Sequence, residues 1–195
     1  MNRRSFVQKI AISTAAASLA FTGCTTTSGS GTSPETNASR RQEIDSAVNG
    51  TLSRLFAMVN GSKELASKAQ GVLVFPDVKK AAFIVGAEHG DGALRVGGAT
   101  VGYYSTTSAS FGFQAGVEST AVIFLFMTQA ALDQFRNTPG WSAGADMGVS
   151  IAKVGANGAI DTSSVSSQVV ALVLTNRGLM ADLSLSGTKV TRLDL

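Results

Sequence analysis

Residues 121–127 read Ala-Val-Ile-Phe-Leu-Phe-Met, an unbroken apolar run of seven residues. A run this short cannot span a membrane as a helix, and it is typical of a strand that is buried on both faces. Residues 110–118 alternate apolar residues with glycine or polar residues, the period of two that indicates a strand. Further strand-like segments lie at residues 72–75, 81–85, 95–104, 143–154, 169–174, 179–185 and 189–193. The chain therefore contains at least seven predicted strands.

Helical patterns lie mostly before these strands. Residues 40–59 repeat apolar side chains every three to four positions, and Ser39 with Gln42 fits a capping box at their start. Residues 63–70 predict a second short helix and residues 129–136 a third. The predicted fold is α+β, with N-terminal helices packed on an antiparallel β sandwich or barrel. Two interpretations of the first helix stay open: its apolar stripe packs on the sheet, or it lies in a membrane interface.

The first residues have the pattern of an export signal. Arg3, Arg4 and Lys9 precede a weakly apolar run, residues 10–21, that ends shortly before Cys24. This end resembles a bacterial lipobox, which implies cleavage before Cys24 and attachment of acyl chains such as palmitate. The adjacent arginines are compatible with both twin-arginine and general secretory export.

The predicted chain has three parts. Residues 1–23 form the signal peptide, residues 24–38 the acylated cysteine with a flexible Ser/Thr/Gly-rich tether, and residues 39–195 the folded domain. Two or more acyl chains are enough for stable membrane anchoring. Because Thr25 rather than Asp follows Cys24, the usual sorting pattern of such lipoproteins favours the outer membrane, with the domain facing the periplasm.

The composition excludes several classes of site. The 195 residues include one cysteine and one histidine, too few for a disulfide framework or a His-rich metal cage. Glu88, His89 and Asp91 form the one cluster with catalytic character, and we interpret it as a polar turn between two strands. We therefore predict no catalytic residue, no metal site, no cofactor and no enzymatic activity.

The charge pattern gives no argument for nucleic acid as a partner. The chain has 16 basic and 13 acidic residues, so loss of the three basic residues before Cys24 leaves 13 of each. Local basic residues on or near the helices are candidates for binding lipid phosphates. They are Arg40, Arg41, Arg54, Lys63, Lys68, Lys79 and Lys80. The alternative is that these residues are scattered, solvated charges.

Ordered motifs along the domain resemble the SYLF domain, a lipid-binding module of bacterial lipoproteins and eukaryotic membrane-traffic proteins. The resemblance extends over roughly residues 45–193 and is carried by AQGVLVFP (69–76), KAAFIVG (80–86), VGYY (101–104), QAG (114–116), FLFMT (124–128), GWS (140–142), GAID (158–161), NRGLMA (176–181) and LSGTKV (185–190).

The resemblance implies a non-enzymatic domain that binds phospholipid through anionic head groups. In the SYLF family an N-terminal amphipathic helix and nearby basic residues are implicated in this binding. A second hypothesis is a protein-interaction scaffold, in which the sheet binds an unknown partner and the acylated Cys24 only localises the domain.

Overall fold

The computed structural model describes residues 34–80, 87–109, 120–153, 159–160, 167–176, 178–180 and 185–195. Its helices are α1 (Pro34–Met58), α2 (Ser62–Lys68) and α3 (Gln129–Asn137). Its strands are β1 (Gly71–Lys80), β2 (Ala87–Val96), β3 (Ala99–Ala109), β4 (Thr120–Phe126), β5 (Trp141–Ser142), β6 (Val149–Ile151), β7 (Val169–Thr175), β8 (Gly178–Leu179) and β9 (Lys189–Leu193). The predicted signal peptide, Cys24 and the predicted strands at residues 81–85 and 110–118 lie outside the described residues.

The apolar run at residues 121–127 supplies the centre of the sheet. β4 is buried along its whole length, and β1 and β7 flank it as antiparallel neighbours. The strand order is β5-β9-β3-β2-β1-β4-β7-β6, with β8 paired to β7. Because β4 and β7 are covered on both faces, their sequences are continuously apolar rather than alternating. The α+β prediction is confirmed, with helices packed on one sheet.

An aromatic core shows that this sheet is curled. Trp141 on β5 and Phe124 on β4 have ring centroids 5.6 Å apart, although five strand-to-strand steps separate their strands in the order. In a flat sheet those steps would span roughly 24 Å. Phe135 of α3 closes this concave face, with its ring centroid 5.4 Å from that of Trp141. The arrangement is one curled sheet rather than a sandwich of two.

The opposite face of the sheet is aliphatic. Val74, Ile123, Leu125 and Leu172 are fully buried there, beneath α1 and α2. Residues 32–195 form one compact unit that contains both cores.

Helix α1 begins earlier than the sequence pattern indicates. The predicted start at residue 40 is wrong: the helix starts at Pro34, so residues 34–38, which we assigned to the tether, are helical. Proline is favoured in the first turn of a helix, and Glu35 complements the positive end of the helix dipole.

The strand predicted over residues 143–154 is interrupted. A tight turn, in which Gly144 has a φ of +83°, follows β5, and only Val149–Ile151 pairs again as β6. β6 pairs in parallel with β7, whereas the other described strand pairs are antiparallel, so the all-antiparallel prediction is also wrong at this edge.

Candidate functional site

Helix α1 packs its apolar stripe against the aliphatic face of the sheet. Val48 and Leu55 are completely buried, and Ile44 is 7% exposed. Both interpretations of this helix required an apolar face, and the structure uses that face for the core. The same stripe is therefore not free to enter a membrane interface while the helix stays docked.

A polar group, the Asp45 cluster, holds α1 on the strands; it comprises Asp45, Asn49, Arg95, Thr100 and Tyr103. Asp45 Oδ1 accepts hydrogen bonds from Arg95 Nη2 at 3.2 Å and Thr100 Oγ1 at 2.7 Å. Asp45 Oδ2 accepts from the Tyr103 hydroxyl at 2.9 Å, and Asn49 Oδ1 accepts from Arg95 Nη2 at 3.0 Å. Burial and the hydrogen bond to Asp45 raise the pKa of Tyr103, so this hydroxyl remains a donor at neutral pH.

Two of the predicted basic residues bind acceptors elsewhere in the fold. Arg40 Nη2 lies 2.7 Å from Asp91 Oδ2 on β2. Arg41 Nη1 donates to the backbone carbonyl oxygen of Leu195 at 2.8 Å. These arginines therefore help to dock α1, and a lipid phosphate would have to compete with these partners.

Lys68 and Lys79 form exposed ion pairs with nearby carboxylates. Lys68 Nζ lies 2.7 Å from Glu64 Oε1, and this hydrogen bond lowers the pKa of Glu64. Lys79 Nζ lies 2.8 Å from Asp77 Oδ2, and this hydrogen bond raises the pKa of Lys79. Each charge is offset locally, which weakens its field at a distance.

Arg54 and Lys63 form no ion pair with a described residue. Arg54 lines a cavity of about 290 Å³ with Pro76 and Asp77, and its Nε is buried with no hydrogen-bond partner in the described part of the chain. Lys63 is exposed on α2 and lines a different cavity. The side chain of Lys80 lies outside what the structure describes. Arg40, Arg41, Lys68 and Lys79 are thus engaged by acceptors within the fold, whereas Arg54 and Lys63 lie beside two different cavities.

The cavity beside Lys63 is a groove of about 420 Å³ between α1, α2 and the turn that joins β2 to β3. We call it the α1–α2 groove. Its apolar lining comprises Leu52, Phe56, Ala66, Ala69 and Val72, all of them partly buried. Its two cationic residues are Lys63 and Arg95. The groove therefore combines an apolar floor with positive charge.

Sequence reasoning missed Asp45 and Arg95. They lie 50 residues apart and meet only because α1 crosses β2 and β3. Asp45 stands next to the predicted apolar position Ile44, and no local pattern marks it as a ligand for a distant arginine. The signal that could have pointed to this cluster is Arg95 itself, because it is a charged residue inside a strand-like segment.

The cluster of Glu88, His89 and Asp91 lies in β2 rather than in the predicted turn. His89 Nε2 is 3.5 Å from Asp91 Oδ1, while the other oxygen of Asp91 is bound by Arg40. A strand is possible here because Gly90 and Gly92 face a bulge of β1: a Cβ on Gly90 would lie 2.7 Å from the Asp77 carbonyl oxygen. The prediction of a turn is therefore wrong here, because the glycines between these polar residues allow a close approach of two strands.

The described residues hold no group of three His, Cys, Asp or Glu side chains arranged for a metal ion. None of their helices is both long enough and apolar enough to cross a membrane.

One comparison with known proteins matches part of the chain to a protein family. Residues 107–194, a little under half of the 195 residues, match the model of the Ysc84 family, which is described as Las17-binding protein actin regulator. This match confirms the SYLF resemblance over that segment. No curated protein matches the chain. The matched segment contains β4, α3 and β5–β9, whereas the α1–α2 groove is built entirely from residues before it.

Proposed function

We propose that the protein is a non-enzymatic envelope lipoprotein whose domain binds anionic phospholipid; the match of residues 107–194 to the Ysc84 (SYLF) family supports this proposal. Acylated Cys24 anchors it in the outer membrane, and the domain faces the periplasm. Neither a cofactor nor nucleic acid takes part.

The observation that carries this proposal is the composition of the α1–α2 groove. Lys63 lines it without an ion-pair partner among the described residues, beside five apolar side chains. A lysine ammonium binds phosphate by charge and hydrogen bonds, and it does so at least cost when no carboxylate must be displaced. The groove therefore offers an anionic lipid both a charged and an apolar contact.

The test is co-sedimentation of residues 25–195, which contain both cores and cannot be acylated, with vesicles. One set of vesicles contains phosphatidylglycerol and phosphatidylcholine, the other phosphatidylcholine alone, at low and moderate salt. We expect binding to the anionic vesicles only, weakened by salt because the attraction is screened. Lys63→Ala should weaken that binding by about fivefold, the ratio that corresponds to ~1 kcal/mol per charge near a membrane surface.

Lys189→Ala is the matched control. It removes the same net charge from an exposed position, and Lys189 pairs with Thr107 near the end of β3 that is distant from the groove. Equal losses in both variants would show that total charge rather than the groove attracts the membrane. Absence of binding to either vesicle would overturn the proposal and leave Cys24 as the whole membrane contact.

A second candidate function is a membrane-anchored protein-interaction scaffold. The Ysc84 family is described by its binding to another protein, Las17. Within the matched segment Arg136, Lys189 and Arg192 are exposed and form no ion pair with a described residue. If this surface captures an acidic partner, Lys189→Ala reduces cross-linking to that partner in the envelope and leaves vesicle binding unchanged. Lys63→Ala would show the opposite pattern.

A further inference from the structure

The α1–α2 groove has an apolar floor that is only partly covered by the described residues. Leu52 and Phe56 on α1, Ala66 on α2 and Val72 on β1 pack against the aliphatic core with one side and remain accessible from the groove with the other. Apolar surface left open in a concave site is stabilised by an apolar ligand.

The wall opposite α2 keeps the groove open. Gly97 and Gly98 form the turn between β2 and β3 with φ values of +58° and +86°. Because glycine has no side chain, these two positions leave the space beside them open, and an added Cβ at either would meet nothing within 4 Å. The volume of about 420 Å³ falls in the range of roughly 300–1,000 Å³ typical of small-molecule sites.

The charges of the groove differ in their availability. Arg95 is held by Asp45 and Asn49, and its Nη1 donates to the Gly98 carbonyl oxygen at 3.2 Å. The guanidinium of Arg95 is thus largely engaged in holding the β2–β3 turn against α1. Lys63 is exposed and has no carboxylate partner among the described residues, so its ammonium is the group that can meet an anion.

An occupant that satisfies both features is long and aliphatic at one end and anionic at the other. The described lining contains a single aromatic ring, Phe56. Its uncharged polar side chains, Asn49 and Ser67, already bond to Arg95 and to the Glu64 carbonyl oxygen, which leaves few free polar groups to orient a polar ring ligand. We propose that the α1–α2 groove holds one acyl chain of an anionic phospholipid, with its phosphate against Lys63. This inference rests on the proposed function and adds to it the withdrawal of one chain from the bilayer.

The test uses single-chain lipids as monomers, below the concentration at which they form micelles. Residues 25–195 are titrated with lysophosphatidylglycerol, with lysophosphatidylcholine and with glycerophosphoglycerol, which has the head group but no acyl chain. We expect the first to bind most tightly, the second at least several-fold more weakly, and the third not measurably. Tight binding of the chain-free head group would overturn the proposal.

Two variants locate the site. Ala66→Trp fills the groove and should weaken lysophosphatidylglycerol binding at least tenfold, whereas Ala57→Trp, on an exposed position of α1 outside the lining, should leave it unchanged. Amide chemical shifts of the unaltered chain give an independent readout, with the expected changes at Ala69, Gly97 and Gly98. Equal binding by both variants, or shifts confined to other residues, would refute the groove as the site.

The vesicle and monomer experiments separate this inference from the function on which it rests. If anionic vesicles bind in a Lys63-dependent way while lysophosphatidylglycerol monomers do not, the domain recognises head groups and the acyl-chain site is wrong. If neither binds, both proposals fail.

Discussion

The two faces of the curled sheet are covered in different ways. On the concave face, aromatic rings of β4, β5 and α3 contact each other directly, and Trp141 is completely buried. On the aliphatic face, α1 is held partly by apolar contacts and partly by the Asp45 cluster, and a groove remains at its side. Both faces are buried, but the concave face is closed by its own aromatic side chains, whereas the aliphatic face keeps partly covered apolar surface at the α1–α2 groove.

The family match follows the same division. Residues 107–194 supply β4, α3 and Trp141, hence most of the aromatic core, whereas the groove lining ends at Gly98. The match to the family model therefore covers most of the aromatic rings of the concave face, and the proposed lipid site depends on residues outside the matched segment.

The largest expected effect comes from breaking the concave face. Trp141→Ala removes the ring that Phe124, Phe126 and Phe135 all contact, so we expect a loss of about 3–5 kcal/mol in the free energy of unfolding. Met58→Ala, at an apolar side chain that is 44% exposed, should change it by less than about 0.5 kcal/mol. Urea denaturation followed by far-UV circular dichroism measures both, and similar losses would contradict the division between the faces.

The next largest loss of stability is expected where the paired strands β1 and β2 approach each other most closely. A Cβ at Gly92 would overlap the Val74 carbonyl oxygen and the Phe75 ring, so Gly92→Ala should cost about 1–3 kcal/mol. The matched control is Gly50→Ala in α1, where a Cβ meets nothing within 4 Å. There the same substitution should stabilise the helix by about 0.5–1 kcal/mol, because alanine loses less backbone entropy than glycine. Thermal denaturation of both variants would reveal whether the signs differ, and a neutral Gly92→Ala would show that the strands do not approach so closely.

Much of this architecture follows from local patterns. The uninterrupted apolar runs of β4 and β7 fix the centre of the sheet, and Thr128, directly before the predicted third helix, caps α3 by accepting a hydrogen bond from the Ala131 amide at 3.2 Å. The interruption between β5 and β6 could not be predicted from apolar periodicity, because it depends on Gly144 adopting a positive φ and on Asp146 accepting from the Ser142 amide.

The site was less predictable than the fold. Basic residues could be found in the sequence, but their partners could not, since Asp91 meets Arg40 from 51 residues away. The groove arises from the same long-range crossing: Lys63 and Arg95 share it only because α2 and the β2–β3 turn flank α1.

A smaller loss of stability is expected when the hydrogen bonds that hold α1 on the aliphatic face are removed. Asp45→Ala removes the acceptor of three side-chain hydrogen bonds, and we expect a loss of about 1–2 kcal/mol because Arg95 and Tyr103 lose a partner at a partly buried site. Glu43→Ala, at an exposed position of the same helix, is the control and should be near neutral. Hydrogen exchange would show faster opening of α1 in Asp45→Ala with the α3 amides unchanged. Uniformly faster exchange in both helices would argue against separate behaviour of the two faces.

The smallest expected effect is on the alkaline side of the pH profile. Burial and the hydrogen bond to Asp45 raise the pKa of Tyr103 above the ordinary tyrosine value of about 10. Above about pH 10 the unfolded chain ionises this tyrosine while the folded protein keeps it protonated, so stability falls as pH rises through the raised pKa. Tyr103→Phe should reduce this decline, and urea denaturation at about pH 9 and about pH 11 would measure it. An identical decline in the variant would mean that folding does not raise the pKa of Tyr103.

The pairing of β9 with β3 has a consequence for biosynthesis. Tyr103 pairs with Leu193, 90 positions later, so the ribosome must make nearly the whole domain before this pair can form. Until then β3 presents an unpaired edge, and β5, which pairs with β9, cannot bring Trp141 to its final place. Contacts so distant in sequence slow folding. The nascent chain therefore stays incompletely folded throughout its synthesis, and the domain reaches its native state only after translation has passed its last strand.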